Sequence, residues 1–168
     1  MHRRTQQTDT LSPRVLAVSS GGGHLAELRR LSPAWDGAEL TYVVTEPGYT
    51  DDVRKDPGTP DGKPPRVLFL PDANKAQKLR LARLALAALW MILRERPDVV
   101  ISTGAAPGYF AIRFGKMLGA RTIWVDSIAN AEEMSVSATL ARPFCDLWLT
   151  QWPHLARDNG PAYAGTVL

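Results

Sequence analysis

Short apolar runs alternate with segments of helical periodicity along this chain. Residues 14–19 (RVLAVS), 40–45 (LTYVVT), 66–70 (RVLFL), 98–102 (DVVIS), 121–125 (RTIWV) and 146–150 (DLWLT) are five or six residues long. That is too short for ordinary helices, and their β-branched side chains suit a pleated, buried surface, so each predicts a strand. Leu25, Leu28 and Leu31 share one helical face over residues 24–31, and Pro33 follows. A long helix is predicted over 74–96, stopped by Pro97. Residues 108–118 predict another, with Gly119 as its cap, and 135–141 a short one. Residues 46–65 are rich in proline, glycine and charge and predict a long surface loop. Residues 1–12 (MHRRTQQTDTLS) are polar and unpatterned and predict a disordered tail, leaving 13–168 as a single domain.

Strands alternating with helices predict an α/β fold, a Rossmann-like parallel sheet with helices on both faces. In such sheets ligands sit beyond the carboxyl ends of the strands, at the switch in strand order. The informative segments are therefore the turns that follow each strand.

The first turn is Ser19-Ser20-Gly21-Gly22-Gly23-His24. Three glycines let the backbone approach a ligand closely, and the helix that follows offers unpaired N–H groups to an anion. A tight strand-to-helix turn is the plainer reading. Gly21, Gly23 and Ala26 also fit a G-x-G-x-x-A dinucleotide fingerprint, with Glu46 at the end of the second strand as its acid. His24 lies in the first helical turn, where the helix dipole favours an uncharged imidazole able to accept a proton from a hydroxyl. Capping or packing is the alternative.

The second turn is Ser102-Thr103-Gly104-Ala105-Ala106-Pro107-Gly108. Its hydroxyls can bind phosphate or sugar, and two glycine-containing turns after two strands of one sheet would line one crevice. The third is Asp126-Ser127-Ile128-Ala129-Asn130 with Glu132 and Glu133 beyond. Asp126 and Ser127 can bond a hydroxylated ligand, or Asp126 can cap the next helix. Glu132 and Glu133 are adjacent on the chain and read as a solvated face. The fourth is Gln151-Trp152-Pro153-His154, suited to sugar stacking, a protein contact or core packing.

Composition removes several classes. Hydrophobic residues are 45% of the 168 and charged residues 22%, a balance that excludes disorder. The one cysteine, Cys145, excludes an internal disulfide and a cysteine-held zinc, and no metal or cofactor is expected. The longest apolar stretch, 84–93, is half of the roughly 20 residues that span a bilayer. The net charge of +3 is too mild to imply nucleic acid. Its location matters more. Residues 71–96 hold six cations (Lys75, Lys78, Arg80, Arg83, Arg94, Arg96) against Asp72 and Glu95, or +4, leaving −1 for the rest. A basic end beside an apolar body with Trp90 resembles an interfacial anchor for anionic lipid, although the helix must also cover the sheet.

Taken in order, Ser20 to Leu25 (SGGGHL), Ser102-Thr103-Gly104, Asp126-Ser127-Ile128-Ala129 with Ser135 and Ser137, and Asp146 followed by Gln151-Trp152-Pro153 resemble one family. It is the membrane-associated, acceptor-side subunit of the two-subunit N-acetylglucosaminyltransferase of asparagine-linked glycosylation. The PssD-like and EpsE-like proteins of exopolysaccharide synthesis are its bacterial relatives. The resemblance covers about residues 14–168, and its glycine-histidine turn is shared with MurG-like transferases.

The resemblance implies the N-terminal half of a GT-B glycosyltransferase, inverting and UDP-sugar dependent only as a complex with a partner subunit. That partner is of the GT-B C-terminal type and binds the UDP-sugar, while this chain brings the polyprenyl-pyrophosphate-linked acceptor. It further implies His24 as base, with Ser20, Gly21, Gly22, Gly23, Ser102, Thr103, Gly104, Asp126 and Ser127 around the acceptor and its phosphates. Lys75, Lys78, Arg80, Arg83 and Trp90 would contact the membrane, and Gln151, Trp152 and Pro153 the partner. The chain would then be cytoplasmic and peripheral at the inner face of the cell membrane. It departs from the family at Asn130, where an arginine is usual, and in having a polar tail where eukaryotic members carry an N-terminal anchor. Two other functions stay open: a dinucleotide-binding oxidoreductase fragment, and a non-catalytic scaffold that recruits the partner to the membrane.

Overall fold

Each of the six apolar runs becomes a strand of one parallel sheet in the computed structural model, which describes residues 12–56, 62–73 and 77–167. The strands are β1 (Arg14–Val18), β2 (Glu39–Val44), β3 (Arg66–Phe69), β4 (Val99–Ser102), β5 (Arg121–Val125) and β6 (Leu147–Thr150). A two-residue strand, β7 (Ala162–Tyr163), was too short to leave a pattern and completes the order β3-β2-β1-β4-β5-β6-β7. The helices are α1 (Gly23–Arg30), α2 (Thr50–Val53), α3 (Lys78–Glu95), α4 (Ala105–Met117) and α5 (Val136–Ala141). The predicted tail, residues 1–11, lies outside the described residues, as does the start of the predicted long helix at 74–76.

The chain builds outward from β1 to β3, then α3 carries it across to β4 on the other side of β1. The order therefore reverses between β1 and β4, which is the switch point where such sheets bind ligands. Register sharpens this. Val18 pairs with Val43 on one side and Ser102 on the other, so the turns after β1 and β4 emerge side by side.

Alternation along β1 splits the core. Leu16 and Val18 pack with Val100 and Trp124 beneath α3, α4 and α5. Val15 and Ala17 pack with Leu25, Leu28, Tyr42 and Val53 beneath α1 and α2. Helices thus lie on both faces, as the sequence predicts. Within α3, Leu84, Ala88, Met91 and Ile92 are buried. Each large apolar side chain removed from water there contributes about 1.5–3 kcal/mol.

Two boundaries differ from expectation. The fourth helix begins at Ala105, not at residue 108, because Pro107 sits in its first turn, where no backbone N–H is needed. The loop after β2 contains α2, whose Val53 is fully buried and ties that loop to the core. At the base of the sheet, Asp146 accepts a charged hydrogen bond from Lys116 and another from the Thr122 N–H, which holds its carboxyl below the usual carboxylate range.

Candidate functional site

The two glycine-containing turns are joined through His24. Its Nδ1 lies 3.1 Å from the carbonyl oxygen of Thr103, while Thr103 Oγ1 donates to the carbonyl of His24 at 2.6 Å. A carbonyl only accepts, so Nδ1 carries a proton, and in the neutral ring the lone pair is on Nε2. The half-buried imidazole lies against Gly104. A Cβ on that residue would stand 2.6 Å from the ring, and its φ of 149° disfavours side chains as well. Ala105, which follows, takes a φ of 65°, a left-handed conformation unusual for alanine. The strain falls on the one backbone segment that carries the histidine's acceptor.

Before His24, Gly22 adopts φ 67° and ψ −137°, and no side chain caps α1. The first-turn N–H groups of α1 are thus left open beside Gly22 and Gly23, both exposed. Ser20 and Gly21 are partly exposed at the same rim.

The other expected binding residues lie below this rim. Ser102 is fully buried and its hydroxyl accepts from the Gly104 N–H at 3.2 Å, shaping the turn. Thr103 is buried too and acts as the clamp just described. The Asp126 carboxylate accepts from Trp124 Nε1, Ser135 N–H and Ser135 Oγ, and Ser135 in turn caps α5. Asp126 thus holds the capping residue Ser135 and does not itself cap the helix. Ser127 Oγ donates to Glu27 at 2.8 Å, inside the protein.

Glu27 is a residue that periodicity did not single out. It is a buried carboxylate on α1, and it also accepts from the Gln151 amide at 3.0 Å. Gln151 donates to the Asp126 carbonyl as well and accepts from the Val167 N–H. Gln151 is 1% exposed, so it supports the C-terminal segment from beneath and offers no docking surface in the isolated chain. Trp152 is half-buried with its indole N–H on the Ile128 carbonyl, and Pro153 is exposed. His154 Nε2 donates to the Ala131 carbonyl at 2.7 Å. These bonds fasten the segment after β6 to the loop after β5. Tyr49, from the loop after β2, is the other residue not foreseen: Gly22 N–H donates to its hydroxyl at 3.0 Å.

The basic helix keeps its expected character. Lys78, Arg80 and Arg83 are exposed, and Lys75 lies outside the described residues. Leu79, Leu86, Trp90 and Leu93 form an outward stripe, with Leu79 84% and Trp90 61% exposed, and the Arg94 guanidinium stands 5.1 Å from the Trp90 ring centre. No helix among the described residues is long and apolar enough to cross a membrane.

Two features carry no chemistry. A cavity of about 390 Å³ at the amino ends of β1–β3 is lined by Arg66 and Glu95, which pair with each other, at the end of the sheet opposite the switch-point crevice. Burial pushes the Cys145 thiol up to about 12, so it supplies no nucleophile.

Residues 76–167 match the family described as "Oligosaccharide biosynthesis protein Alg14 like". The chain is 26% identical to the UDP-N-acetylglucosamine transferase subunit ALG14 of Yarrowia lipolytica, over 86% of this chain and 76% of that protein. It is 27% identical to the subunit of the same name from Eremothecium gossypii, over 85% and 74%. Among solved structures it is similar to Acinetobacter baumannii MurG, with a TM-score of 0.70 at 11% identity. That match covers 93% of this chain but 46% of MurG. The UDP-GlcNAc 2-epimerase of Methanocaldococcus jannaschii gives 0.59 at 11% identity, over 81% of this chain and 38% of the epimerase. The chain thus spans less than half of these solved proteins, and the likeness to them is one of fold.

Proposed function

The chain belongs to the Alg14-like family of oligosaccharide biosynthesis proteins, and we propose on that premise that it is the acceptor-side subunit of a two-component glycosyltransferase. It binds a polyprenyl-pyrophosphate-linked sugar at the β1–β4 crevice and recruits a catalytic partner that holds the UDP-sugar, for polysaccharide or glycolipid synthesis. The observation that carries this reading is the His24–Thr103 clamp, which leaves an imidazole lone pair beside an open glycine turn at the switch point.

In the reaction, His24 Nε2 takes the proton of the acceptor hydroxyl as that oxygen attacks the anomeric carbon of the donor. The bond to UDP breaks, UDP leaves with the electron pair, and the configuration inverts. The first-turn N–H groups of α1, with Gly21, Gly22, Gly23 and Ser20, hold the acceptor diphosphate. Ser102, Thr103, Asp126 and Ser127 position the turns that do so. The fold matches 46% of MurG, in keeping with a site shared with a partner, and exposed Pro153 with the segment around Trp152 is the docking region for that partner. The purified chain alone should turn over no UDP-sugar, and adding the partner should restore transfer. Robust activity from this chain alone would sink the two-subunit reading.

The outer face of α3 meets the membrane. Its apolar stripe enters the headgroup region, and Lys78, Arg80 and Arg83 face anionic lipid at about 1 kcal/mol each. In this reading the chain is a peripheral protein at the inner, cytoplasmic face of the membrane. Flotation with vesicles containing phosphatidylglycerol should therefore drop when Arg80, Arg83 and Trp90 are replaced together by Ser. Undiminished flotation would remove α3 as the contact.

A further inference from the structure

We propose that Tyr49 is a binding residue of the same cradle, its hydroxyl donating to an oxygen of the bound diphosphate. This rests on the reading of the glycine turn as the acceptor site. Three observations point to it. The Gly22 N–H donates to Tyr49 Oη at 3.0 Å, so the phenol oxygen is used as an acceptor and its own hydrogen remains to be given. No acceptor for that hydrogen is found among the described residues. The ring also lies against Gly21, where a Cβ would stand 2.5 Å from Tyr49 Cε2, while Gly22 and Gly23 stay open beside it.

The segment that carries Tyr49 is built into the fold. Arg29 of α1 forks onto the Asp56 carboxylate at 2.6–3.0 Å and donates to the Asp52 carbonyl at 2.9 Å. Val53 is fully buried beneath it. The phenol is therefore held in place before a ligand arrives, and little ordering is lost on binding. Beside the open amides of Gly23 and His24, Tyr49 adds a neutral donor on the side of the turn away from His24, which fixes how a diphosphate lies across it.

The test uses the full chain, ¹⁵N-labelled, titrated with inorganic pyrophosphate, with UDP and with a short-chain prenyl diphosphate. Shifts of the Gly22 and Gly23 amides report binding. Tyr49→Phe keeps the ring over Gly21 and removes only the hydroxyl. It should leave the chain folded, with the exposed Gly22 N–H turning to water, and weaken the prenyl diphosphate about tenfold, the size of a hydrogen bond to a charged group. Equal affinity in the variant overturns the proposal. Tighter binding does too, since the hydroxyl would then be competing for the Gly22 N–H. A loss confined to UDP overturns the acceptor assignment. If no probe moves the wild-type amides, the cradle reading fails together with this one. If the amides move and Tyr49→Phe is silent, only the role of Tyr49 fails.

Discussion

His24→Ala in the reconstituted two-subunit complex should lower kcat by about 10²–10⁴-fold, the usual contribution of a positioned general base, with little change in acceptor KM. The geometry explains the division. His24 meets the rest of the protein through Nδ1, bound to the Thr103 carbonyl at 3.1 Å, and through its own carbonyl, bound by Thr103 Oγ1 at 2.6 Å. Alanine keeps the second contact and the N–H groups of the turn, so a ligand held by those amides still binds. It removes the one lone pair poised to take a proton. An interaction needed only in the transition state lowers kcat and kcat/KM together. His24→Asn refines the test, because its amide can still donate to the Thr103 carbonyl while offering no basic nitrogen. A wild-type kcat in either one removes His24 as the base, whereas a raised acceptor KM at constant kcat would make it a binding residue only.

His24 was legible because its sequence context is local: a strand, a glycine run and a helix start within a dozen residues. The sheet was legible for the same reason, since each apolar run carries its own length and residue preference, and chain order alone put both glycine turns at strand ends. Tyr49 was not legible. It is the single aromatic residue of a proline-rich loop, and its bond to Gly22 spans 27 residues with no periodic signal. Glu27 was hidden differently. A carboxylate three residues after His24 reads as a helix-surface charge, and burial becomes sensible only when Ser127 and Gln151, 100 and 124 residues away, turn toward it. Such pairings are products of the strand order. They also leave Asp126 and Ser127 buried, each bonded within the protein.

The burial of Asp126 has a measurable consequence. Asp126→Ala should destabilise the chain by about 3–5 kcal/mol, the scale of stranding buried partners of a removed charge, and so lower the melting temperature by about 6–20 °C for a domain of this size. Asp126 is 2% exposed, and its two oxygens hold Trp124 Nε1 at 3.2 Å and the Ser135 N–H and Oγ at 2.7 Å each. Removing the carboxylate leaves an indole N–H in the core without a partner, because Trp124 is fully buried. It also frees Ser135, whose hydroxyl caps α5 through the Ala138 N–H at 3.0 Å, and a lost cap costs about 1 kcal/mol by itself. Asp126→Asn keeps the shape and one accepting oxygen but puts an amide against donors, so it should fall between wild type and alanine. Denaturant unfolding measures all three. A ligand-binding Asp126 predicts the reverse pattern, with stability nearly unchanged and acceptor KM raised. An Asp126→Ala variant as stable as wild type would therefore return this residue to the crevice.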